Sequence, residues 1–144
     1  MQSRRIVIDT NVLIAALRSR RGASYKLIAL IGSGKFEINV SVPLVLEYED
    51  VAKRLLGEIP LSESDIDDII DYICHIANRI KVFYLWRPTL KDPKDDMVLE
   101  VAAAANCDCI VTFNKKDFRS IDLAPFGLRA LTPKEFLGEI GELQ

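Results

Sequence analysis

Two periods of apolar and polar positions run along this chain, and the switches between them mark its elements. Ile6-Val7-Ile8 is a β-branched run behind two cations, Arg4 and Arg5. It is too short for a helix and reads as a buried parallel strand. Phe36-Glu37-Ile38-Asn39-Val40 alternates with a period of two and predicts a second strand. Ile80–Leu85, Cys109–Thr112 and Leu128–Leu131 give a third, a fourth and a short fifth. Helical stretches separate them. Val12–Leu17 ends at the basic knot Arg18-Ser19-Arg20-Arg21 and Gly22, and Ala23–Ile31 ends at Gly32-Ser33-Gly34. Ser41 and Pro43 start a helix that runs to Leu56, with Val45, Leu46, Val51, Leu55 and Leu56 as its expected apolar stripe. Ser62 and Asp65 have the spacing of a capping box, and Ile66, Ile69, Ile70, Ile73 and Ala77 follow at helical intervals. Arg87-Pro88 and Asp92-Pro93 mark a loop. Asp96 then opens a nearly all-apolar helix through Ala105, expected to be buried on several sides. Thr132-Pro133-Lys134-Glu135 combines a cap, a proline at the first helical position and a glutamate three residues after the cap. Strands alternating with helices predict a parallel α/β sheet in a single domain spanning residues 1–144.

Composition narrows the class. A chain of 144 residues with 49% hydrophobic content has material for one full core, which excludes a disordered chain. The net charge of -2 neither requires nor excludes a nucleic-acid partner, since a local basic patch can act within an acidic protein. Cys74, Cys107 and Cys109 are an odd count and read as small core residues, consistent with a cytoplasmic location. No apolar run reaches the roughly 20 residues that span a bilayer, so no membrane partner is expected. The first strand begins almost at once, which leaves no room for a targeting segment. The single histidine, His75, lies mid-helix among apolar residues and is expected to be a half-buried packing residue.

Candidate chemistry collects after the strands. Asp9 follows the first, Glu47 the second, Asp95 and Asp96 the third, and Asn114 and Asp117 the fourth. In a parallel sheet these carboxyl ends share one edge, where open α/β sheets bind ligands. Like charges gathered there repel unless a cation joins them, and hard oxygen donors suit Mg²⁺ or Mn²⁺. Neither a histidine base, a nucleophile elbow nor a phosphate loop is present. A carboxylate–metal site of this kind points to metal-activated water attacking a phosphodiester. Each acid also has a structural reading: Asp9 as a helix cap, Glu47 as a surface residue, Asp95 and Asp96 as partners of a helix dipole, Asn114 as a turn residue. The acids Asp65, Asp67, Asp68 and Asp71 read as a solvated helix face. Arg18, Arg20 and Arg21, with Lys115, Lys116 and Arg119, are candidate contacts for substrate phosphates.

Four segments in order also carry a family resemblance. Ile6-Val7-Ile8-Asp9-Thr10-Asn11-Val12-Leu13-Ile14 resembles the opening of PIN-domain ribonucleases. Val45-Leu46-Glu47-Tyr48 is similar to that family's second acidic motif, and Asp92-Pro93-Lys94-Asp95-Asp96 with Leu99-Glu100-Val101-Ala102 to its third. Ile110-Val111-Thr112-Phe113-Asn114-Lys115-Lys116-Asp117-Phe118 looks like its fourth, in a variant with Asn114 where many relatives carry Asp. The resemblance implies an α/β/α sandwich with a central parallel sheet of four to five strands. It also implies a Mg²⁺- or Mn²⁺-dependent endoribonuclease acting on RNA, often a homodimer. Many such small proteins are toxins of VapC type, each paired with a small antitoxin protein.

By motif match, Asp9, Glu47 and Asp96 are the catalytic and metal-binding acids, with Asp117 or Asn114 near the fourth position. Thr10, Asn11, Asp95, Thr112 and Asn114 would orient them. The departure at Asn114 bears on a second metal. One rival reading is a PIN-like module that binds RNA or protein without cutting. Another is an acid-lined aspartyl phosphotransferase.

Overall fold

The structure, a computed structural model, describes residues 4–82, 93–118, 123 and 127–143, without the side chains of Pro93 and Lys94. Five strands form one parallel sheet: β1 (Arg4–Ile8), β2 (Phe36–Val40), β3 (Asn78–Arg79), β4 (Cys109–Val111) and β5 (Arg129–Leu131), in spatial order β3-β2-β1-β4-β5. The helices are α1 (Thr10–Arg18), α2 (Ala23–Ala29), α3 (Val42–Lys53), α4 (Glu63–Ile76), α5 (Pro93–Ala104) and α6 (Pro133–Glu139), with a 3₁₀ turn at Lys115–Phe118. This is the expected α/β fold with a central parallel sheet.

β1 is the middle strand and pairs on both sides, Ile6 with Ile38 of β2 and Ile8 with Val111 of β4. Alternation along it sends Ile6 and Ile8 to one face and Val7 and Asp9 to the other. Ile8, Ile38 and Val40 meet Leu13 of α1, Ile28 of α2, Tyr48 of α3 and Ile73 of α4 on the first face. The opposite face of β1 and β4 is covered by α5, whose Val98, Leu99, Val101 and Ala102 are buried. A polar lock crosses β1, β2 and β3. Buried Asn39 donates to the Ile6 carbonyl (3.2 Å) and accepts from Arg5 (3.3 Å) and Asn78 (3.1 Å).

Helix starts follow the local chemistry closely. Ser41 caps α3, and Ser62–Asp65 and Thr132–Glu135 are both complete capping boxes. Three expectations are corrected. The third strand is not Ile80–Leu85: β3 is the polar pair Asn78–Arg79, Ile80–Val82 lie beyond it, and residues 83–85 fall outside the described residues. The buried stripe of α3 is Leu44, Tyr48 and Ala52, at spacings of four, with the expected Leu55 buried just beyond the helix end, while Leu46 is 59% exposed. His75 is exposed, because Ile66, Ile70 and Ile73 set the inward face of α4 and a residue two positions past Ile73 turns away from it. Cys107 and Cys109 are buried as expected, and burial pushes each thiol up to about 12; Cys74 is partly buried. No described helix is long and apolar enough to cross a membrane.

α6 is tied to the sheet by its last residue. Glu139 accepts from Arg129 of β5 (2.7 and 2.8 Å) and from Arg4 of β1. A carboxylate at a helix carboxyl terminus opposes the dipole, and the two guanidiniums offset this. They hold its carboxyl down at about 2 from an ordinary 4.5. A folded-state pKa below the unfolded one stabilises above the unfolded value and loses that effect as pH falls through the folded value. Stability to urea should therefore decline between pH 4.5 and about 2. Glu139→Gln should flatten that part of the profile; an unchanged slope would remove Glu139 from the account.

Candidate active site

The order of strands decides what the carboxyl edge contains. β1 and β4 are neighbours with Ile8 opposite Val111, so the next residues, Asp9 and Thr112, leave the sheet side by side. The Asp9 amide still donates to the Val111 carbonyl at 2.9 Å, extending the ladder by one bond. The Asp9 carboxylate is then held from three directions. Thr112 Oγ1 donates to Oδ2 at 2.7 Å, Asn11 Nδ2 donates to the same oxygen at 3.3 Å, and the Thr10 amide donates to Oδ1 at 2.8 Å. Asp9 is thus the N-cap of α1, at the carboxyl edge of the sheet. Thr112 is fully buried; its hydroxyl also accepts from Asn11 Nδ2 (3.3 Å) and from the Asn114 amide (3.0 Å), which uses all of its hydrogen-bonding capacity. Asn11 closes the ring by accepting from the Phe113 amide at 3.3 Å. Thr10, Asn11 and Thr112 thus all donate to the Asp9 carboxylate.

Tyr48 belongs to the same scaffold. Its hydroxyl donates to the carbonyl of Ile8, the residue before Asp9. Burial, and then the Asp9 charge, push its pKa far above the ordinary tyrosine value, so it stays a donor. In the sequence Tyr48 stands only as the residue after Glu47; its spacing of four from Leu44 and from Ala52 is the signal for its burial. Glu47, one residue earlier in the second turn of α3, is half-buried.

α5 supplies the other acids. Asp108, four residues beyond α5, accepts from the Arg5 amide at the start of β1, so this helix ends at the amino edge of the sheet. Twelve residues of helix, rising about 1.5 Å each, carry its first turn back to the carboxyl edge. Asp95 and Asp96 sit in that first turn, where the helix dipole favours anions. Asp96 is only 1% exposed and Asp95 9%. Glu100, one turn beyond Asp96 on the same face, is 4% exposed, and none of the three lacks a partner. Glu100 was not singled out as a site residue, although a charged residue inside an otherwise apolar helix was visible in the sequence. After β4, the Asn114 side chain is exposed and Asp117 is half-buried in the 3₁₀ turn, its amide donating to the Asn114 carbonyl at 3.0 Å.

These donors are all oxygens, the set a hard divalent cation takes. Among the described residues no three His, Cys, Asp or Glu side chains stand close enough to hold a metal, so Asp9, Glu47 and Asp96 are not closed into one group. Mg²⁺ is ordinarily held through one or two carboxylates, waters and substrate phosphate rather than a full protein cage. The residues fit that form of binding and not a closed cage of three carboxylates.

The basic residues divide. Arg18, Arg20 and Arg21 are exposed at the far end of α1, about 13 Å of helix rise from Asp9. There Arg18 and Arg20 line a cleft of ≈ 340 Å³ with Tyr25 and Leu61. Lys115 is ion-paired to Glu135 (3.0 Å), the capping residue of α6, while Lys116 is exposed. Arg119 lies outside the described residues.

Comparison with known proteins places this geometry. The family model described as PIN domain matches residues 5–116. A chain in the crystal structure of VapBC2 from Rickettsia felis bound to a DNA fragment from their promoter superposes with a TM-score of 0.59. It is 17% identical, over 88% of this chain and 98% of that one. No curated protein sequence matches the chain significantly.

Thr112→Val keeps the shape of the side chain and removes its donor and its acceptor together. Two part-buried amide donors, Asn11 Nδ2 and the Asn114 amide, and the Asp9 carboxylate lose a partner, which should cost about 1–3 kcal/mol in urea unfolding. A loss under about 0.5 kcal/mol, within the range of an ordinary surface change, would show that the hydroxyl does not hold Asp9.

Proposed function

The chain belongs to the PIN-domain family, and on that premise we propose that it is a metal-dependent endoribonuclease, the toxin of a toxin–antitoxin pair. The observation that carries the reading is the buried, hydrogen-bonded Asp9 at the carboxyl edge, with Asp96 buried in the first turn of the helix that returns to that edge. Family membership supports a nuclease, and the likeness to a chain of VapBC2 supports a protein antitoxin as partner.

Asp9 and Asp96 would hold Mg²⁺ or Mn²⁺, with Glu47 and Asp117 reaching it from α3 and the 3₁₀ turn. When bound, the cation supplies positive charge at the scissile phosphate and acidity toward water. Thr112, Asn11 and Thr10 fix the Asp9 oxygens so that they need no reorganisation when phosphate arrives. Asp95, beside Asp96, adds negative field. Lys116 is placed to neutralise a neighbouring phosphate, as is Arg119 by its sequence position. Arg18, Arg20 and Arg21, a helix length away, would contact RNA only well beyond the cut.

Exposed apolar side chains on α3 and α4 support a homodimer: Val42 (73% exposed), Leu46 (59%), Tyr72 (50%) and Ile76 (40%). A monomer in light scattering at high micromolar concentration would contradict that assembly.

Excess chelator should abolish RNA cleavage, and added Mg²⁺ or Mn²⁺ should restore it. Asp9→Asn and Asp96→Asn should each remove most of the activity without loss of fold, and Glu47→Gln should act similarly. Asp67→Asn and Asp71→Asn, on the exposed face of α4, should leave activity unchanged. Full cleavage in chelator, or dependence on the α4 acids in place of Asp9, would contradict the reading.

The neutral amide of Asn114 adds no charge for a second cation. Asn114→Asp should tighten Mn²⁺ binding in titration calorimetry, and Asp117→Asn should weaken it, though less than Asp96→Asn. Unchanged affinity in both would detach the segment after β4 from the metal.

A further inference from the structure

The candidate acids belong to different layers of the fold. Asp9 ends the central strand, α5 brings Asp95 and Asp96 on one face of the sheet, and α3 carries Glu47 on the other. A cation held between layers needs its ligands kept within about 0.5 Å of the productive geometry. Among the described residues these acids do not close into one group, so the scaffold has to set their separation.

One peptide unit takes part in that task from both ends. Its amide, of Asp9, donates to the Val111 carbonyl of β4 at 2.9 Å. Its carbonyl, of Ile8, accepts from the Tyr48 hydroxyl of α3. The two bonds grip a single planar group and tie α3 and β4 to the residue that presents the carboxylate. Tyr48 is 3% exposed, and its ring lies among Leu13, Ile28, Ile38, Val40 and Ile73. The space left between these side chains is ≈ 10 Å³ and apolar. It offers a water no second polar partner, so water does not take over the bond when the hydroxyl is removed.

We propose that Tyr48 is a positioning residue of the metal site: through the Ile8–Asp9 peptide it fixes α3, and with it Glu47, relative to the Asp9 carboxylate. The proposal rests on the nuclease reading. Glu47 and Tyr48 are consecutive on one helix, about 100° apart around its axis. A bond at Tyr48 therefore sets the height and the rotation of the turn that carries Glu47. Apolar packing through Leu44 and Ala52 keeps α3 on the sheet but does not set its rotation so narrowly, because dispersion contacts are not directional.

The test uses the full chain. Tyr48→Phe keeps the ring and removes only the hydroxyl. Leu137→Met and Leu137→Ala, buried changes in α6, serve as controls that bracket its loss of stability to urea. Tyr48→Phe should weaken Mn²⁺ binding in titration calorimetry about tenfold, within the range for residues that orient metal ligands. It should lower kcat for RNA by a similar factor and leave KM nearly unchanged, since Tyr48 does not meet the substrate. The Leu137 variants should bind Mn²⁺ as the unaltered protein does. In a Glu47→Gln background, Tyr48→Phe should have little further effect on Mn²⁺ affinity, the sign that the two residues act together. Should Tyr48→Phe not fold alone, the comparison is made in sucrose, which favours the compact state. Unchanged Mn²⁺ affinity in Tyr48→Phe would overturn the positioning role while the nuclease reading stands. An equal loss in the Leu137 variants, or a Tyr48→Phe protein unfolded even in sucrose, would make Tyr48 a packing residue and overturn it as well. A full effect in the Glu47→Gln background would overturn the link to α3. If the unaltered protein neither binds Mn²⁺ nor cuts RNA, the nuclease reading falls and the proposal with it.

Discussion

The hydrogen bond from Thr112 to Asp9 is the contact on which the rest of the edge depends. It exists because β4, distant in sequence, lies beside β1 with Ile8 opposite Val111. Any slip of that register by one residue would send Thr112 to the other face of the sheet. The same pairing lets the Asp9 amide finish the ladder before the chain turns into α1. One short segment thus ends a strand, caps a helix and presents a carboxylate, and its neighbour Tyr48 secures the carbonyl just before it.

That carboxylate sits in a demanding electrostatic setting. Asp9, Asp95, Asp96 and Glu100 are all nearly buried, and burying ionised carboxylates is costly unless charge or hydrogen bonding compensates. Part of the compensation is visible: three donors on Asp9, and the dipole of α5 for Asp95 and Asp96. Under the proposed function, a divalent cation with RNA phosphate would add positive charge at this edge.

Much of this was legible in the sequence wherever local chemistry decides the outcome. The boundaries of β2 follow its alternation, and both capping boxes follow their Ser/Thr and acid spacing. Asp9, Thr10 and Asn11 stand out where an apolar run meets three polar residues. What was not legible depends on partners distant along the chain. β3 forms at Asn78 because Asn39 and Glu37 of β2 hydrogen-bond its side chain, which no apolar pattern marks. The buried face of α3 includes Tyr48, whose hydroxyl donates to the Ile8 carbonyl, so an aliphatic stripe caught Leu55 but took in exposed Leu46 and Leu56 and left out Tyr48. The distance of Arg18, Arg20 and Arg21 from Asp9 reflects the direction of α1, and Lys115 is taken up by Glu135 across the chain.

Diffraction from crystals soaked in Mn²⁺, recorded with its anomalous signal, tests the central claim most directly. The account predicts a peak at the carboxyl edge of the sheet, within ligand distance of Asp9 or Asp96 and absent in the Asp9→Asn, Asp96→Asn double variant. Mn²⁺ found instead on the acidic face of α4, at Asp67, Asp68 and Asp71, or a carboxyl edge without any peak at saturating Mn²⁺, would contradict it.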